Sequence, residues 1–168
     1  NKNSVAKLSY NDMFDWFESS FNRYFVNFNS LNLEEVDEIE KYIKAENLTQ
    51  NHKIDHYLLD GLDKTQIETP RIYRKYELPN QTFLTSYYYN KKSKNIILIE
   101  FEWKNDNSKL SFEDRIVSRN KKDLTNQKRF EDLSHFLDSY LGKNSTDKKT
   151  DYRHSKTWLK DNKIVELS

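Results

Sequence analysis

The stretch Arg71-Ile-Tyr-Arg-Lys-Tyr-Glu-Leu-Pro-Asn-Gln-Thr-Phe-Leu-Thr-Ser-Tyr-Tyr-Tyr-Asn-Lys-Lys-Ser-Lys-Asn-Ile-Ile-Leu-Ile-Glu-Phe-Glu-Trp103 decides the fold. Its residues are β-branched and aromatic, and its polarity alternates with period two, the pattern of half-buried strands. Pro79-Asn80 ends a first strand over Arg71–Leu78, a second covers Thr82–Tyr89, and a third covers Ile96–Trp103. The polar link from Asn90 to Asn95 makes the last two a hairpin. Alternation in the third strand places Ile97, Ile99, Phe101 and Trp103 on one face. Ile96, Leu98, Glu100 and Glu102 fall on the other.

Outward from this sheet the period changes to that of a helix. Phe14, Phe17, Phe21, Tyr24 and Phe28 recur at spacings of three and four, an aromatic stripe with Asn11 or Asp12 as its cap. Asn32 opens a second helix, with Glu35 completing a capping box and Leu33, Val36, Ile39 and Ile43 on its apolar side. Downstream, residues 104–124 read as a charged connection. Phe130, Leu133, Phe136, Leu137, Tyr140 and Leu141 then form a helix that Gly142 stops. A polar loop over Lys143–Ser155 follows. Thr157–Leu159 and Ile164–Leu167 flank Asp161-Asn162, a pair able to adopt positive φ, and so close the chain as a hairpin.

The order α-α-β-β-β-α-β-β predicts an α+β fold, an antiparallel sheet of about five strands with helices packed on one face. One domain is expected over 10–168, after a flexible polar segment over 1–9 that suits a trimmed chain or a mature protein whose signal segment has gone. In such a fold Phe17, Phe21, Phe101, Trp103, Phe136 and Leu137 join the first and last helices to one sheet face.

Composition supports a folded domain with a heavily solvated surface. Charged residues make up 33% of the 168, and the core falls to ten Phe, eleven Tyr and three Trp. The net charge of +1 argues against strong attraction to nucleic acid or a membrane surface. Acidic residues dominate before position 70 and basic ones after it. Opposed faces could serve a partner, or the halves could neutralise each other. Without cysteine there are no disulfides, thiolate metal sites or cysteine nucleophiles. No run of 18 apolar residues occurs, so no membrane-spanning helix is expected.

Candidate sites are sparse. Glu102-Trp103-Lys104 ends an apolar strand, where a restriction-type nuclease carries a metal-binding carboxylate and a lysine that orients the attacking water. The Asp such enzymes need one strand earlier is missing, which favours Glu100, Glu102 and Lys104 as a solvated sheet face with ion pairs. His52 and His56 stand four apart, a helical zinc spacing, but no third ligand follows from spacing, and His135 and His154 stand alone. No serine is singled out as a nucleophile. Two glycines in the whole chain cannot build a phosphate loop or a dinucleotide fingerprint. Arg71, Arg74 and Lys75 beside Tyr73 and Tyr76 could hold single-stranded nucleic acid, but fit better as the outward face of an edge strand. No cofactor is implied.

The segment Tyr76–Trp103, the Phe130–Gly142 helix and the Trp158 hairpin together resemble small secreted or lipid-anchored domains of Bacteroidota. The resemblance implies a periplasmic or outer-membrane-anchored location, with a cytoplasmic one as the alternative, and transfers no catalytic residues. The leading expectation is a non-catalytic bacterial protein-binding module, an immunity or cell-envelope accessory protein. Its partner is another protein or a second copy of the chain. The alternatives are a metal-dependent nuclease using Glu102 and Lys104, and a lipoprotein domain of unknown ligand. If Ile164–Leu167 is the last strand, its edge at Ile164 and Glu166 is the place for a partner strand.

Overall fold

A computed structural model describes residues 7–49, 61, 63–77, 81–105, 111–151 and 153–168. The chain is α+β and divides into two compact units, Asn1–Asn107 and Ser108–Ser168, where the sequence reading has one domain over 10–168. The expected sheet of about five strands is correspondingly replaced by two sheets. Among the described residues no helix is long and apolar enough to cross a membrane.

In the first unit, strand β1 (Lys7–Leu8) leads into helix α1 (Tyr10–Asn27). The cap is Ser9, one turn ahead of the expected Asn11 or Asp12; Asp12 instead closes a capping box from the third helical position. Helix α2 (Leu33–Tyr42) starts at Asn32 with the expected Glu35 box. Strands β2 (Glu46–Asn47), β3 (Arg71–Glu77), β4 (Gln81–Tyr89) and β5 (Ile96–Asn105) follow. The central order is β3-β4-β5, antiparallel throughout. The outer side of β3 is covered by two short strands, β1 in parallel and β2 in antiparallel. The expectation of an edge strand at Arg71–Leu78 is therefore overturned.

One face of this sheet carries Tyr73 and Lys75 of β3 with Phe83, Thr85 and Tyr87 of β4, all buried. Phe17 of α1 meets Phe101 at 5.2 Å and Trp103 at 5.9 Å. Tyr24, Leu33, Val36, Tyr73, Tyr87 and Ile96 share one apolar cluster. The face assignment of β5 holds from Leu98 onward and fails at Ile96 and Ile97. The register shifts between Tyr88 and Tyr89, so Ile96 joins the helix-side cluster while Ile97 packs with Ile67 and Tyr88. One extra residue in a bulged strand reverses its alternation, which composition does not signal.

In the second unit, helix α3 runs from Phe112 to Leu141, 30 residues or about 45 Å, capped by Ser111. It takes in much of the segment read as a charged connection. Strands β6 (Thr146–Lys149), β7 (His154–Lys160) and β8 (Lys163–Leu167) form an antiparallel sheet in that order, so the polar loop after Gly142 contains a strand. Asp161 (φ 53°) and Asn162 (φ 59°) make the two-residue turn, as their chemistry implies. The helix lies along β7 for a geometric reason. A step of four helical residues rises about 6 Å and two strand residues about 6.6 Å, so matched positions stay in step. The Phe130 ring lies 4.2 Å from the His154 ring, Lys156 donates to Ser134 at 2.6 Å, and Trp158 Nε1 donates to Asp138 at 2.9 Å.

The six expected core residues therefore belong to two cores. Phe17 and Phe21 are buried and Phe101 and Trp103 partly buried in the first unit; Leu137 is buried and Phe136 partly buried in the second. The last helix has a sheet of its own because β6 and the β7–β8 hairpin supply one.

Gly142 ends α3 at φ 91° and ψ −172°, so the expected left-handed cap is replaced by an extended positive-φ conformation open to glycine almost alone. A Cβ there would meet nothing within 4 Å, so the penalty of a side chain is purely backbone strain. Gly142→Ala should cost about 1–3 kcal/mol in denaturant unfolding. An unchanged midpoint would show that the helix does not need this conformation.

Candidate functional site

The least ordinary chemistry lies inside the first unit. Lys75 of β3 and Glu40 of α2 both have 0% exposure, and Lys75 Nζ donates to Glu40 Oε2 at 2.6 Å. The other carboxylate oxygen accepts from the Tyr87 hydroxyl at 2.7 Å. A carboxylate can only accept, so Tyr87 uses its proton there. The Tyr24 hydroxyl, 2.7 Å from that of Tyr87, must then be the donor of their pair. On the far side the ammonium lies 4.2 Å from the Trp16 ring and 5.3 Å from that of Phe83, both faces suited to a cation. The chain Tyr24–Tyr87–Glu40–Lys75–Trp16 joins α1, α2, β3 and β4 at one point.

Burial sets the proton affinities here. It pushes Tyr24 and Tyr87 well above the ordinary tyrosine range, and the Glu40 carboxylate adds to both. Tyr73 is also raised, first by burial and then by its hydrogen bond to Asp37. For Lys75, burial outweighs the Glu40 carboxylate and holds the amine below its usual range. Sequence reading placed Lys75 on a solvated edge with Arg71 and Arg74. The structure corrects this: all three cations have carboxylates, Arg71 with Asp37 at 3.6 Å, Arg74 with Glu46 at 2.6 Å, and Lys75 with Glu40.

Glu102 and Lys104 lie together on β5 and pair with each other at 3.0 Å, both partly exposed. Leu84 and Thr82 of β4 face them across the ladder, so that strand offers no second carboxylate opposite. Among the described residues no group of three His, Asp or Glu is placed to hold a metal ion. His52 and His56 lie outside the described residues. His135 is exposed on α3, and His154 pairs with Asp147 at 2.8 Å.

The second unit brings together a set that no motif or spacing had selected: Ser134, Lys156, Asp147 and His154. Lys156 reaches Ser134 at 2.6 Å and Asp147 at 3.9 Å. The groups resemble those of acyl-transfer enzymes, but the setting does not. Ser134 is buried in the interior of α3, where each backbone N–H is committed to the carbonyl one turn back. The helix backbone around Ser134 therefore has no spare N–H to hold an oxyanion. The set holds helix to sheet.

Ile164 and Glu166 lie where they were expected, on the last strand. Among the described residues β8 pairs with β7 alone, which makes it the edge of its sheet. Ile164 is 74% exposed beside its ladder partner Leu159, 66% exposed. Leu159 was missed as a surface residue, although counting back across a two-residue turn places it opposite Ile164. The opposite edge, β6, is Thr-Asp-Lys-Lys and fully exposed. Comparison of the chain with protein-family models, curated proteins and solved structures finds no match to any of the three.

Two outcomes follow, one for the buried pair and one for the tyrosines around it. Glu40→Ala strands an ammonium in the core and should cost about 3–5 kcal/mol, whereas Glu40→Leu combined with Lys75→Met should recover most of that loss. A double variant no better than the single one would show that the charges themselves supply the stability. In alkaline titration the folded state holds its tyrosine protons more tightly than the unfolded chain. Stability from Tyr24, Tyr73 and Tyr87 is thus whole below pH about 10 and declines as pH rises beyond it. Tyrosinate absorbance should show these rings ionising only as circular dichroism reports unfolding; their ionisation in an intact fold would contradict the burial.

Proposed function

We propose that this chain is a non-catalytic protein-binding module that takes its partner as an added strand along β8. The observation that supports it is the open outer edge of β8, with exposed Ile164 beside exposed Leu159. A strand edge presents a row of backbone donors and acceptors, and main-chain pairing supplies affinity while side-chain contacts supply specificity. Folded proteins commonly guard such edges with lysine, proline or a bulge, and β6 carries Lys148 and Lys149 in that manner. In β8 the corresponding protection is slight: Lys163 beside the turn and Glu166, which Arg153 engages at 2.9 Å. An immunity or cell-envelope accessory role is one use of such an edge, and its support is the sequence resemblance.

The hairpin identifies the groups involved. The two-residue turn closes on Lys160 and Lys163 as a hydrogen-bonded pair, and such pairs alternate along an antiparallel ladder. The backbone groups of Ile164 and Glu166 therefore face away from β7. Proline at 164 should be tolerated by the hairpin, because the N–H it removes points outward. Wild-type chain and the Lys148→Ala variant should recover the same protein from native cell extract, and Ile164→Pro should not. Amide exchange at Ile164 and Glu166 should slow in the isolated complex. Equal recovery by all three chains would place the binding surface elsewhere.

A further inference from the structure

The outward edge of β8 fits one particular strand, its own. We infer that two copies of this chain pair antiparallel through β8 about a two-fold axis at Ile164, joining their three-stranded sheets into one of six. The inference rests on the strand-addition reading above and names the partner.

Antiparallel pairing keeps the faces of two joined sheets continuous only if residues of the same face stand opposite one another, which leaves three two-fold registers within Ile164–Glu166. An axis at Glu166 sets two like charges opposite each other, which is destabilising. An axis at Val165 sets the apolar Ile164 against the Glu166 carboxylate. An axis at Ile164 avoids both. Ile164 then lies opposite Ile164 of the partner subunit, and Glu166 opposite the neutral Asn162 of the partner subunit.

That register also accounts for the exposed apolar residues. Leu159 and Ile164 are already neighbours across the β7–β8 ladder, 66% and 74% exposed. Across the axis they extend into a row of four: Leu159, Ile164, and the partner subunit's Ile164 and Leu159. Each copy covers the surface that the other leaves open. The backbone agrees, since Ile164 faces away from β7 and can exchange both of its hydrogen bonds with its counterpart. The joined edges are straight ladder without proline, glycine or bulge. The two-residue turn at Asp161-Asn162 sets the strand's register on β7.

The chain lacks cysteine, so a single introduced thiol reports the register without interference. In a hydrogen-bonded antiparallel pair the Cα atoms lie about 5.5 Å apart, within disulfide reach, whereas residues two positions off the axis do not face their own counterparts. Under mild oxidation, Ile164→Cys should form a covalent dimer far more readily than Glu166→Cys or Lys148→Cys. Sedimentation of the full chain from about 1 µM to about 1 mM should show concentration-dependent dimer, weakened about tenfold or more by Ile164→Lys. Circular dichroism of that variant should match wild type. Because any misfolding of it would confuse the result, Ile164→Pro serves as an independent second break.

Monomer throughout the range, or crosslinking at Glu166 equal to that at Ile164, overturns the proposal. A monomeric chain whose Ile164 and Glu166 amides are still protected by a different protein would overturn the second-copy assignment while leaving the strand-addition reading standing. Loss of both would end both.

Discussion

The first unit is organised around a lysine that cannot reach water. Removing two charges from solvent costs several kcal/mol per ion after relaxation, and the attraction between them returns that only when geometry and further hydrogen bonds are good. Here Tyr87 occupies the second oxygen of Glu40, and aromatic faces cover the ammonium of Lys75. The arrangement is best understood as a constraint on register. Slipping β3 by one residue would send Lys75 to the opposite face and bring Arg74 into the core, separated from Glu46. Glu40 would be left without its cation. An apolar core could tolerate a slip of this kind at the cost of packing, but a core holding one charge pair cannot.

The second unit meets the same requirement with less apolar surface. Leu133, Leu137 and Trp158 are its buried hydrophobic residues among those described. Much of the rest of the contact between α3 and β7 is polar: Lys156 on Ser134, Trp158 on Asp138, and Lys160 on the Tyr140 carbonyl at 2.9 Å. Hydrogen bonds of this kind contribute only about 0.5–1.5 kcal/mol each, yet an unmatched partner inside the interface costs more. They fix which strand residue meets which turn of helix. Trp158 does both tasks, filling the core with its ring while its N–H finds a carboxylate.

Much of the architecture was legible because it depends on local chemistry. The Asn32–Glu35 box, the β4–β5 hairpin and the Asp161-Asn162 turn are each written in adjacent residues. The misreadings have non-local causes. Residues 112–124 are too charged for an apolar stripe to announce a helix, yet Ser111 capping Asp114 marked its start. Lys75 looked like a surface residue because lysine is rarely buried, and only a partner from another element reverses that expectation. Two clues lay in the sequence. Alternation puts Lys75 on the face of Tyr73, not that of Arg74. Glu40 stands four residues after Val36 and seven after Leu33, on the apolar side of its helix. A carboxylate on one apolar face and a lysine on another, each implausible alone, are explained by each other.

That pairing also bears on where recognition can occur. Glu40, Lys75 and Tyr87 are the kinds of group from which acid–base sites are built, but they are closed off from solvent and satisfied by one another. Ser134 is buried in α3 and accepts from Lys156 of β7. General acid–base chemistry requires such groups to reach a substrate atom, and in this fold they reach one another. Edges obey the opposite logic. Backbone donors and acceptors along a strand remain competent for pairing whatever side chains they carry, and only guarding residues prevent it. On β6 the lysines stand guard; on β8 an isoleucine stands at the second position of the exposed edge, next to a leucine similarly open to water. Exposing two large aliphatic side chains side by side is unfavourable for an isolated sheet, and covering them with a strand relieves that cost while satisfying the backbone at the same position.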